Sequence, residues 1–142
     1  MAKNFGASNQ EEQRLARKKV KTMFEARLEL GDRADVLHLS GDLAIDTVKD
    51  LNGIVKELIA RERHPLIVDM SELKFIDSRG AAVLIALNYK LKNKTVVLAD
   101  IPYRIRVVLS RMFIMDQLTV FKTAEDARRE IYRVERRRAG AL

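Results

Sequence analysis

The chain has 142 residues, enough for one domain that buries a core without covalent staples. It has no cysteine and two histidines, which excludes disulfides, thiol catalysis, thiolate metal sites and a histidine-rich metal centre. The formal net charge of +7 either belongs to solvated flanks or attracts an acidic partner, nucleic acid or membrane surface, and no segment reaches the roughly eighteen consecutive apolar residues of a membrane span.

Residues 1–22 are polar, carry Arg14, Arg17, Lys18, Lys19 and Lys21, and lack the apolar stretch of a signal peptide. They are read as a basic, flexible N-terminal extension of a cytoplasmic protein. From Phe24 the sequence FEARLEL places Phe24, Ala26, Leu28 and Leu30 on one side, the period of a half-buried strand. A turn cluster, Gly31 to Asp35, leads to a second strand over Val36 to Ser40, and the two form an antiparallel hairpin.

The pattern then changes to a helical period, with Val48, Leu51, Ile54, Val55, Leu58 and Ile59 on one face. Asp46 or Thr47 is expected to cap this helix, and Gly53 to mark close packing within it. After His64 and Pro65, the run Leu66 to Met70 reads as a strand covered on both faces. A helix over Ser78 to Lys90 follows, then a strand over Thr95 to Ala99. Asp100 is expected to cap the next helix, with Pro102 early in it and Ile105, Val108, Leu109 and Met112 inward. A last strand spans Leu118 to Lys122, and Thr123 to Asp126 resembles a capping box for a final helix through Tyr132 and beyond. Residues 133–142 read as a basic tail.

The order β-β-α-β-α-β-α-β-α predicts an α/β domain over 23–132, with a mostly parallel sheet, an N-terminal antiparallel hairpin and about four helices. Much of the positive charge lies in the flanks, with Arg128, Arg129, Arg133, Arg136, Arg137 and Arg138 at the C-terminal end. It reads as solvated, and no aromatic is read as interleaved, so neither a base-stacking platform nor direct nucleic-acid binding is expected.

No phosphate-binding or dinucleotide-binding glycine motif occurs, and no nucleophile–base set stands out, so no enzyme, cofactor, metal or small-molecule substrate is expected. His38 and His64 read as structural. Loops at the C-terminal ends of parallel strands are the usual site of such sheets, and there Asp42, Asp46, Asp77 and Ser78 could gather. Each also suits a cap or turn. Ser78 has no partnered base but would suit phosphorylation, because a phosphate would meet free N–H groups and the positive end of a helix dipole. Arg79, a cation in a first helical turn, opposes that dipole unless it answers an anion such as Asp77, a phosphorylated Ser78 or an acidic partner.

Three stretches together, VLHLSGDLAIDTVKDL, LIVDMSELKFIDSRGAAVLIAL and TVVLADIPYRIRVVLSRMFIMDQLTVFKTAEDAR, resemble a STAS domain, the fold of bacterial anti-sigma factor antagonists. The resemblance runs from about Glu25 to Ile131 and is carried by Gly41-Asp42-Leu43, the IVDMSELKFIDS block and the TAEDA helix start. It implies a single STAS-like domain and a non-enzymatic partner-switching module in transcription regulation. Such a module binds an anti-sigma factor that is also a serine kinase, and a serine phosphatase resets it. It implies phosphorylation of Ser78 and partner contacts from Asp42, Asp46, Asp77, Arg79 and Gly80, in a monomer or weak homodimer. The alternative is a STAS-type scaffold or regulatory subunit of another assembly, a lipid-transport ATPase or stress-sensing complex, without a phospho-switch. The chain departs from the usual pattern at Ala44, where an acid is common, at Arg79, where a small residue is usual, and at Met112 to Ile114, where SGL is common.

Overall fold

The computed structural model describes residues 24–60, 64–91 and 95–141, so the extension read over 1–22 lies outside the described residues. Strand β1 (Glu25–Glu29) pairs antiparallel with β2 (Asp35–Leu43), Glu25 opposite Ser40 and Glu29 opposite Val36. Strands β3 (Leu66–Ile76), β4 (Val96–Ala99) and β5 (Thr119–Phe121) follow in parallel, and the spatial order is β1-β2-β3-β4-β5. Between them run α1 (Asn52–Ala60), preceded by a 3-10 turn (Val48–Leu51), α2 (Ser78–Lys90) and α3 (Tyr103–Arg111). Helix α4 (Ala124–Ala141) closes the chain.

Alternation along the central strands supplies two layers of core. Leu37, Leu39, Leu66, Val68, Met70, Val96 and Leu98 join one cluster with Val55 and Leu58 of α1, Leu84 and Leu87 of α2, and Ile105 and Leu109 of α3. Their neighbours Val36, Ile67, Val97 and Ala99 join a second, smaller cluster with Ala127 and Ile131 of α4. The cause is topological: crossovers of one hand between strands in sequential order put all connecting helices on one face. Helix α4 follows the last strand and covers the other. Small residues at Ala34, Ala99, Ala124 and Ala127 belong to that contact.

The expected α/β order is present, and local details differ. Strand β3 runs six residues beyond Met70, to Ile76. Its second half alternates irregularly because β3 carries an extra residue at each of two bulges, opposite His38–Ser40 and opposite Gly41–Asp42 of β2, and these break the two-residue period. Gly53 does not mark close packing, since nothing lies within 4 Å of where its Cβ would be. Asp100 caps α4, not α3. Its Oδ2 accepts the Ala124 N–H at 2.8 Å, while Pro102 holds the N-cap position of α3 without a side-chain bond. Thr123 accepts the Asp126 N–H at 3.0 Å, as its place before the helix predicts. Residues 133–141, read as a tail, continue α4 as helix.

Helix α3 ends in a Schellman turn: Ile114 N–H donates to Leu109 O at 3.0 Å and Phe113 N–H to Ser110 O at 3.2 Å. Phe113 takes the left-handed position at φ 58, where the resembled SGL pattern has glycine, and is 70% exposed.

Candidate functional site

The C-terminal ends of β2 and β3 lie side by side, Leu43 opposite Ile76 and Asp42 opposite Phe75. Each chain segment turns there into a helix, and the two turns are tied together by Asp77. Asp77 is extended (φ −105, ψ −177), so it stands just outside α2 as its N-cap. Its Oδ1 accepts the Gly80 N–H at 2.8 Å, and its Oδ2 accepts the Ile45 N–H, from the other loop, at 3.0 Å. Its own N–H donates to Leu43 O at 3.3 Å.

The β2–α1 loop is fastened from within by Thr47, which is buried. The Thr47 hydroxyl donates to Asp42 O at 2.7 Å and accepts the Ala44 N–H at 3.0 Å. It therefore bonds backwards into the loop, and Thr47, at the N-cap position, gives no side-chain cap to the helix that follows. Gly80 seats α2 on this loop. A Cβ there would lie 2.1 Å from Leu43 O, so only glycine fits without moving backbone.

With Asp77 as cap, Ser78 is the first helical residue and Arg79 the second. Both are exposed. Among the described residues the Ser78 hydroxyl has no hydrogen-bond partner, and Arg79 has no ion-pair partner. Asp77 does not pair with Arg79, because its two oxygens hold backbone N–H groups. The backbone N–H groups of Ser78 and Arg79 are among the first of the helix, which have no intrahelical acceptor. An exposed hydroxyl thus stands at the positive end of the α2 dipole with two N–H groups that lack an intrahelical acceptor, and the next residue is an arginine with no ion-pair partner among the described residues. An anion on that oxygen is favoured by the helix dipole and the unpaired N–H groups.

Of the residues expected at the site, Asp77, Ser78, Arg79 and Gly80 form one turn. Asp42 is half-buried at the end of β2, and Asp46 is exposed on the loop that Asp77 fastens. Sequence reading missed Thr47 as a loop fastener and the exposed apolar pair Ile45 (55%) and Phe75 (51%) on the same rim. The irregular spacing of Phe75 in LKFID was its only signal.

A second polar cluster lies on the α4 face of the sheet. His38 bonds Asp69 Oδ2 through Nδ1 at 2.8 Å and Glu29 Oε2 through Nε2 at 2.9 Å, and Arg128 of α4 reaches Glu29 at 3.3 Å. The His38 hydrogen bond, helped by Arg128, holds the Glu29 carboxyl below its usual value. Burial pushes Asp69 up, but hydrogen bonds from Ser71 and His38 outweigh it and leave the carboxyl lowered. His38 links three strands, and its partners orient it as a bridge. Among the described residues no group of three or more His, Asp or Glu could hold a metal ion.

A family model described as "Mlab, STAS domain" matches residues 26–119. No curated protein matches the chain in sequence. An anti-sigma factor antagonist from Mycobacterium paratuberculosis superposes with a TM-score of 0.70 at 21% identity, over 77% of this chain and 94% of that one. RsbS of Moorella thermoacetica, in a form with serine replaced by glutamate, gives 0.67 at 16%, over 79% and 98%. The Bacillus cell-fate determinant SpoIIAA in its phosphorylated form gives 0.57 at 20%, over 75% and 99%. These likenesses show a shared fold.

Proposed function

The chain belongs to the STAS-domain family, and from that premise we propose that it is an anti-sigma factor antagonist controlled by phosphorylation of Ser78. It acts without catalysis of its own. The unphosphorylated rim binds an anti-sigma factor that is also a serine kinase, in the cytoplasm. The kinase phosphorylates Ser78 and a serine phosphatase restores it. What carries the reading is the division of labour at the α2 start: Asp77 does the capping, which leaves the Ser78 hydroxyl exposed and, among the described residues, without a bond. The fold neighbours, named as antagonists and including a phosphorylated form, support it.

The chemistry is electrostatic. A phosphate adds about −1.5 to −2 charges near neutral pH. Free helix N–H groups and Arg79 hold it in place, so the fold need not change. The same charge within the rim of Ile45, Phe75, Asp42 and Asp46 penalises contact with an apolar or acidic partner surface through desolvation and repulsion. The expected result of incubation with the cognate kinase and ATP is one phosphate per chain, on Ser78. Phosphate incorporated equally into Ser78→Ala contradicts the assignment.

The second reading is a STAS scaffold or regulatory subunit of another assembly, a lipid-transport ATPase or a stress-sensing complex. Two observations favour it: the matching family model carries a description other than that of the antagonists, and Arg79 stands where a small residue is usual. Ser78 is then a contact residue. Copurification with an ATP-binding transport subunit, and no phosphoserine in cells, distinguishes it.

A further inference from the structure

Tyr132 of α4 is the aromatic within the C-terminal basic run that the sequence reading passed over. In the fold it is 43% exposed and gathers one cation from a distant turn and one from the next turn of its own helix. The Arg33 guanidinium, from the β1–β2 turn, stands 4.2 Å from the ring centroid, and Arg136 stands 5.8 Å from it. Two surface hollows adjoin the ring. One of 460 Å³ is lined by Arg129, Tyr132, Arg133, Arg136 and Arg137. The other, of 360 Å³, includes Arg33, Arg128 and Tyr132. Arg129 and Arg133 are paired with acids of their own helix, whereas Arg136 and Arg137 have no ion-pair partner among the described residues.

We infer that this face of α4 with Arg33 is a docking surface for single-stranded nucleic acid. Four features select that occupant. Every cation of the patch is arginine, whose planar fork grips phosphate through two bonds and stacks on flat rings. An aromatic ring beside those cations offers a stacking surface for a base, the pairing that unpaired strands need and a duplex does not offer. The apolar side of α4 is committed to the sheet through Ala127 and Ile131, and exposed Val134 and Tyr132 do not make the broad apolar stripe that entry into a lipid surface needs. The like charge of the patch also repels a second copy. The inference stands apart from the Ser78 switch, whose rim is at the C-terminal ends of β2 and β3.

The test is fluorescence anisotropy of a labelled single-stranded oligothymidylate titrated with the full chain over a range of salt. Affinity falls with salt, and Arg136→Ser combined with Arg137→Ser flattens the log–log slope by about 1.4, at about 0.7 per lost phosphate contact. Tyr132→Leu weakens binding roughly tenfold with the slope unchanged, and Tyr132→Phe restores it. Far-UV circular dichroism confirms that the variants fold. An unchanged slope in the double variant overturns the inference, as does equal binding of Tyr132→Leu. Equal or tighter binding of the duplex, of phosphatidylglycerol vesicles or of polyglutamate overturns it too.

Discussion

Asp77 and Ser78 divide between them two jobs that either residue type could do alone. Short polar side chains in this position compete for the same free N–H groups. The extended backbone at Asp77 settles the competition, placing its carboxylate at the Gly80 N–H and leaving Ser78 one step inside the helix. Sequence alone leaves the two arrangements open because they differ by a single residue of register. The second carboxylate oxygen, bound to Ile45 N–H from a distant loop, is a tertiary contact with no local signal. The same holds at His38, whose alternation places it on a strand but does not reveal Glu29, Asp69 and Arg128 around it. That cluster makes a pH prediction. Glu29 and Asp69 have lowered carboxyl pKa values, so their stabilising contribution is fully present above the ordinary carboxylate range. It is lost as pH falls through the lowered values. His38→Phe removes the bond that lowers Glu29 most, so carboxyl NMR titration should show Glu29 moving up. The acid limb of the stability curve should then flatten. An unmoved Glu29 resonance contradicts the bridge.

At the scale of elements, strands and helices were legible wherever one face is buried. Helix α2 has the predicted bounds, Ser78–Lys90, because its apolar run meets a polar cap on one side. The second half of β3 was not legible, since its own bulges against β2 break its alternation and leave Ser71, Glu72, Lys74 and Phe75 exposed. Asp100 lies next to α3 in sequence and caps α4, an assignment that only the packing of α4 against the sheet can make. Three positions test how local preference and packing divide. Gly53 sits exposed in helical backbone with open space, so Gly53→Ala should stabilise by about 0.5–1 kcal/mol. Phe113→Gly relieves an exposed left-handed phenylalanine and should gain about 1 kcal/mol. Gly80→Ala drives a methyl into Leu43 O and should cost several times that amount. Urea denaturation orders the three variants. A Gly80→Ala protein as stable as wild type contradicts the close approach of α2 to the β2–α1 loop.

Across the whole molecule, one sheet separates two surfaces of different character. Helices α1 to α3 fill one face with the larger core. The other carries α4 and the arginine cluster around Tyr132. The rim at the C-terminal ends of β2 and β3 carries exposed Ser78, Ile45 and Phe75, which the proposed function makes a partner-contact surface with Ser78 as its modified hydroxyl. A binding surface of that kind needs no moving part to be switched. Tenfold weakening is about 1.4 kcal/mol, within reach of one desolvated charge. The most direct measurement is calorimetric titration of the anti-sigma factor with the chain before and after stoichiometric phosphorylation at Ser78. The account predicts binding at least tenfold weaker for the phosphorylated form, with Ser78→Ala binding like the unmodified protein. Equal affinity of the phosphorylated and unmodified forms would contradict it.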